Sequence, residues 1–119
     1  MARVALLCPD LLFGSKVEGG LGVAGHEVRR FDTIDEVRDA SAPWDLLVVD
    51  LTSDGEQRAE LVAAMKERRE LDGVRALGFY SHVDQDTRLA ADRAGFDMVV
   101  PRSRMAREMA EIADSVLAA

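Results

Sequence analysis

Leu46-Leu47-Val48-Val49-Asp50 is an unbroken apolar run that ends in a carboxylate. A strand with no polar position on either side is buried on both faces, which is the pattern of a central strand in a parallel sheet. Two further runs have the same form: Val4 to Leu7 leads into Cys8-Pro9-Asp10, and Ala76 to Tyr80 leads into Ser81. In a doubly wound sheet the carboxyl ends of the strands form the crevice where ligands and chemistry sit, so polar residues just past those ends are the first candidates. Asp50 is the leading one.

Outward from this strand, short apolar runs alternate with amphipathic stretches, without a linker, repeat or low-complexity segment, which predicts an α/β fold. Leu11 to about Ala24 sets Phe13, Val17, Leu21 and Ala24 on one helical face, and Gly25 supplies a stop. Gly14, Gly19, Gly20 and Gly22 each cost on the order of 1 kcal/mol against Ala in a helix interior, so packing must hold this helix or it is irregular. His26 to Phe31 predicts a second strand, and Thr33 with Glu36 has the spacing of a capping box. A third helix is expected from about Glu56 to Glu70 with Leu61, Val62 and Met65 inward, after which Asp72-Gly73 turns the chain into a strand from Val74 to Tyr80. A fourth helix follows from about Asp84 to Ala94, then a fifth strand at Met98 to Val100. Met105, Met109, Ile112 and Val116 form the inner stripe of the last helix, with Ser103 as its expected N-cap.

Length and charge bound the function. A chain of 119 residues is expected to form one domain, 1–119, with no effector domain attached. The net charge of -7 argues against the broad basic face that nucleic acid requires. A single Cys forms no internal disulfide, and no apolar run approaches the roughly 20 residues of a membrane span. A cytoplasmic location is expected.

Five βα units with an Asp ending the third strand resemble the receiver domain of two-component response regulators. The resemblance covers the whole chain and implies a flavodoxin-like (βα)5 fold with a five-stranded parallel sheet ordered 2-1-3-4-5 and helices on both faces. It makes Asp50 the phosphoacceptor position. Gly95-Phe96-Asp97-Met98-Val99-Val100-Pro101-Arg102-Ser103 has the shape of the family's fifth strand, with Arg102 in place of its Lys. The departures are as informative. Where the family holds Mg²⁺ with a pair of acids after strand one, this chain has Cys8-Pro9-Asp10, leaving Asp10 with Asp50 as the only metal candidates. The family's Ser or Thr after strand four aligns with Tyr80, and Ser81 lies one position late. Arg102 is a planar, permanently charged fork suited to pairing with a carboxylate, and Asp50 is its expected partner. The Met-Pro turn usual after the phosphoacceptor is replaced by Thr52-Ser53-Asp54-Gly55. These changes describe a degenerate, or pseudo-, receiver.

Other motifs give way to plainer readings. Gly20-Leu21-Gly22-Val23-Ala24-Gly25 spells the dinucleotide fingerprint, but it closes a helix instead of opening one after a strand. Ser81, His82 and Asp84 lie on one turn, where relay geometry is rare, so Ser81 or His82 is expected to cap the next helix or line the rim. Cys8 reads as a buried small hydrophobe and Phe13 as core. Arg102, Arg104 and Arg107 add a basic edge.

The expected function is a stand-alone receiver-like module that acts by protein interaction in bacterial signalling, without catalysis of its own and without a cofactor. Its partners are signalling proteins, a histidine kinase or other two-component protein among them, and its contact surface is about Asp84 to Ala119. Receivers often dimerise, so the resemblance allows a homodimer. One alternative is a working phosphorelay receiver that takes a phosphoryl group on Asp50 with Mg²⁺. A second is a small-molecule sensor whose rim is Asp10, Asp50, Ser81 and Arg102.

Overall fold

Leu46 to Asp50 forms the middle strand of the sheet, every residue of it buried, in a computed structural model that describes residues 1–40 and 43–119. Among these residues the order is β1 (Arg3–Leu7), α1 (Leu11–Val23), β2 (Glu27–Phe31), α2 (Ile34–Asp39), β3 (Leu46–Asp50), α3 (Gly55–Glu67), β4 (Arg75–Tyr80), α4 (Gln85–Ala94), β5 (Met98–Pro101) and α5 (Arg102–Ala118). The strands pair in parallel in the order β2-β1-β3-β4-β5. This is the α/β fold and strand order that the resemblance implies.

Side chains on a strand alternate between faces, and that alternation divides the core in two. Val4, Leu6, Cys8, Leu46, Val48, Leu77 and Phe79 pack beneath Phe13, Val17 and Leu21 of α1 and the Met105, Met109, Ile112 and Val116 stripe of α5. Ala5, Leu7, Leu47, Val49, Ala76 and Tyr80 face the other way, against α2, α3 and α4. The same alternation, continued one step past Val49, sends Asp50 toward the α1/α5 layer. Its position is therefore set by the strand on which it ends.

Local signals explain the element ends. The capping box forms in full: the Glu36 amide donates to Thr33 Oγ1 at 3.2 Å and the Thr33 amide to Glu36 Oε1 at 3.1 Å. Gly25 follows α1 at φ 95° and Gly73 precedes β4 at φ 78°, backbone angles that a side chain disfavours. Three expectations are corrected. Ala24 is the exposed C-cap of α1, because the helix stops one residue before the apolar stripe would turn inward again. Leu61 is 40% exposed, and Ala59 takes its inward place beside Val62 and Met65. Ser103 lies inside the first turn of α5, since Pro101, with its fixed φ and no N–H, takes the N-cap position.

The glycines of α1 separate into two kinds. The helix is continuous through all four. A Cβ on Gly14 would stand 2.8 Å from Arg30 Cδ, and one on Gly20 would collide with the Met109 side chain, so close packing on β2 and α5 uses these two. Gly19 and Gly22 face open space. Gly19→Ala should therefore raise stability by about 0.5–1 kcal/mol through helix propensity and a less flexible unfolded chain. Gly20→Ala should lower it as Met109 is displaced. Urea unfolding followed by fluorescence of Trp44, the single tryptophan, reads both signs.

Candidate functional site

Asp50 ends β3 with 2% of its surface exposed, and its own neighbours occupy both carboxylate oxygens. Oδ1 accepts the Thr52 amide at 2.8 Å and the Thr52 hydroxyl at 2.5 Å. Oδ2 accepts the Cys8 thiol at 3.5 Å. The contact to Thr52 is a side chain bonding the backbone two residues on, the local turn that Asp forms readily, and it closes the strand end on itself. Arg58 donates to the Asp50 backbone oxygen at 2.8 Å and anchors the same turn from α3.

Cys8 completes this arrangement from β1. It is fully buried, and burial together with the adjacent Asp50 charge pushes its thiol up to about 12. The thiol therefore stays protonated and donates, splitting its proton between Asp50 Oδ2 and the Asp10 carbonyl at 3.6 Å. A thiol in this state is neither a nucleophile nor a metal ligand.

Arg102 does not pair with Asp50, contrary to the expectation. It is the first residue of α5, one step beyond the strand, and its guanidinium reaches across to α1, 3.3 Å from Asp10 Oδ2. There it lies over the Phe13 ring, 4.3 Å from the centroid, and Phe13 in turn packs on Phe79 at 5.0 Å. Asp10 has a second task, accepting the Phe13 amide at 3.1 Å as the N-cap of α1. The Asp10–Arg102 pair is over 40% exposed on both sides, so its contribution is about 0–1 kcal/mol and it is easily exchanged.

A cleft of about 590 Å³ stands at the carboxyl end of the sheet, lined by Phe13, Thr52, Ser81, His82, Arg102, Ser103 and Ala106. Ser81 is on this rim. Tyr80 is not: the alternation of β4 turns it into the opposite layer, where it is 3% exposed. Ser81 and His82 do not cap α4; Asp84 does, accepting the amide and hydroxyl of Thr87 at 3.1 and 2.6 Å. Those bonds hold the Asp84 carboxyl below its usual range. With its carboxylate committed to Thr87, Asp84 is not available to orient His82.

The donors do not make a fitting cradle for Mg²⁺. That ion needs near-octahedral oxygen ligation from free carboxylates. Asp10 is divided between a helix cap and a guanidinium, Asp50 is sealed by Thr52, and the position between them offers a protonated sulfur. Among the described residues no group of three or more His, Cys, Asp or Glu side chains is placed to hold a metal. Thr52 and the Phe13–Arg102 stack were not anticipated. The Asp-x-Thr spacing is a local signal for the first; the second joins residues 89 apart in sequence and has none.

The Cys8 environment sets a pH dependence. A thiol value raised on folding adds stability that is complete below the unfolded value of 9.0 and is lost as pH rises toward about 12. Unfolding free energy should fall across that alkaline window in the native chain and less steeply in Cys8→Ser, whose hydroxyl does not titrate there. At pH 8 the native thiol should resist a disulfide reagent that labels the urea-unfolded chain at once.

No protein-family model and no curated protein matches the sequence. Solved structures do. A response regulator from Thermotoga maritima superposes with TM-score 0.86 at 17% identity, covering 100% of this chain and 99% of its own. The BeF3-activated DrrB receiver domain gives 0.82 at 18% identity, with 100% and 99% covered. The non-phosphorylated HemR receiver domain from Leptospira biflexa gives 0.77 at 22% identity, with 100% and 96% covered. From β1 to α5, the chain has the fold of a response-regulator receiver domain.

Proposed function

We propose that the protein is a receiver-like signalling module that works through protein interaction, and that Asp50 does not accept a phosphoryl group in the usual Mg²⁺-dependent way. The observation that carries this reading is the state of Asp50, buried to 2% exposure with both oxygens engaged inside the protein. Phosphoryl transfer to a carboxylate needs little beyond positioning, a metal and a cation set against the phosphate oxygens. Here the attacking oxygens are covered, Asp10 caps α1, and the cation lies over Phe13 with Asp10 as its carboxylate neighbour instead of Asp50.

Signalling proteins of the two-component type are the partners that this fold favours, a histidine kinase included. The surface assigned to them is α4, β5 and α5, which presents Leu89 at 49% exposure and the exposed side chains of Arg93, Arg104 and Arg107. Arg104 and Arg107 both lie 3.7 Å from Glu108, so the edge is a mixed-charge patch and not a uniform basic one. Among the described residues no helix is long and apolar enough to cross a membrane, and the site of action proposed is the cytoplasm.

Acetyl phosphate with Mg²⁺, applied to the native protein, to Asp50→Asn and to an ordinary receiver, tests the proposal by intact mass. The expected result is a phosphoryl-sized gain in the ordinary receiver alone. A gain in the native protein that Asp50→Asn abolishes would overturn the reading and make this a working phosphorelay receiver.

A further inference from the structure

We propose that the cleft beside Asp50 binds a small organic anion, one with a carboxylate or phosphate head and a compact apolar body. The cleft falls within the size range of small-molecule sites, roughly 300–1,000 Å³, and stands at the carboxyl ends of parallel strands, where open α/β sheets place their ligands. Its lining divides by chemistry. Thr52, Ser81 and Ser103 offer hydroxyls, His82 an imidazole and Arg102 a guanidinium, while Phe13 and Ala106 form an apolar wall.

Charge gives the sign of the ligand. The chain carries 22 acidic against 15 basic side chains, yet none of the seven lining residues is acidic. The Arg102 guanidinium lies over the Phe13 ring, 4.3 Å from its centroid, and its planar fork can make paired hydrogen bonds to an oxyanion. Among the described residues the carboxylate on it is Asp10, at one 3.3 Å contact on an exposed edge. Asp10 thus acts as an internal stand-in for the ligand head, and a molecule that brings an oxyanion to Arg102 and sets its apolar body beside Ala106 and the part of Phe13 that lines the cleft displaces it.

This inference goes beyond the protein-interaction reading, and it holds or fails apart from the phosphorylation question. Binding is reversible and read by NMR, whereas phosphorylation is covalent and read by mass. It requires no reaction at Asp50.

Phenyl phosphate and benzoate, each titrated into the ¹⁵N-labelled protein with inorganic phosphate as a third arm, test the proposal. The expected result is saturable movement of the Thr52, Ser81, His82 and Ser103 amides with at least one aromatic anion, and weaker binding of inorganic phosphate. The two aromatic arms decide which head group the cleft prefers. Arg102→Gln should abolish the effect. Asp10→Asn should tighten it several-fold, because Asn preserves the α1 cap while removing the competing charge. The proposal is overturned if neither aromatic anion moves these amides, if inorganic phosphate binds as well as they do, or if the response survives Arg102→Gln in a protein whose spectrum shows it folded.

Discussion

A carboxylate buried at the end of a central strand must have its oxygens satisfied, and the way Asp50 meets that demand organises the whole carboxyl rim. Each bond to an ionised group contributes on the order of 1.5–3 kcal/mol, and leaving the group without partners would cost more. Thr52 supplies two of these bonds within the same turn, and Cys8 adds a weaker thiol contact from just past β1. The Asp50 charge in turn helps keep the Cys8 thiol protonated, so the thiol remains a donor. Arg102, which has no place in this inner set, is free to lie on Phe13 and meet Asp10. The rim therefore has a rigid inner shell and an exchangeable outer one.

The two-layer core makes that arrangement reproducible. Alternation along β3 fixes the face to which Asp50 points, alternation along β1 brings Cys8 to the same face, and alternation along β4 sends Tyr80 away from it. α1 closes over this face through Phe13, and its approach to α5 depends on the bare backbone at Gly20. A helix that looks weak by propensity is thus held where the site needs it by packing, the usual outcome when tertiary contact outweighs local preference.

Much of this was legible in the residues. The apolar run through Val49 announced a central strand, Thr33 with Glu36 announced the start of α2, and the Met105-to-Val116 stripe announced the buried face of α5. What could not be read were contacts between side chains far apart in sequence. Asp50 and Arg102 looked like natural partners because a guanidinium fork suits a carboxylate and Arg102 stands where the resembled family has its Lys. Their separation by the helix start at Pro101 and the competing pull of Asp10 and Phe13 exist only in three dimensions. Leu61 and Ala24 failed for a smaller reason: a helical stripe fixes the direction of burial but not which flanking residue falls at its edge. Thr52 was within reach, since an Asp side chain readily accepts from the backbone two residues on.

The central claim is that the oxygens a receiver offers to a metal are here committed to the protein itself. Titration of the native protein with Mg²⁺, followed through the backbone amides of Cys8, Asp10, Asp50 and Thr52, tests it most directly. The account predicts that these resonances stay in place at concentrations that saturate an ordinary receiver measured alongside. Saturable movement confined to these four amides would show that the carboxylates open to a cation, and would contradict it.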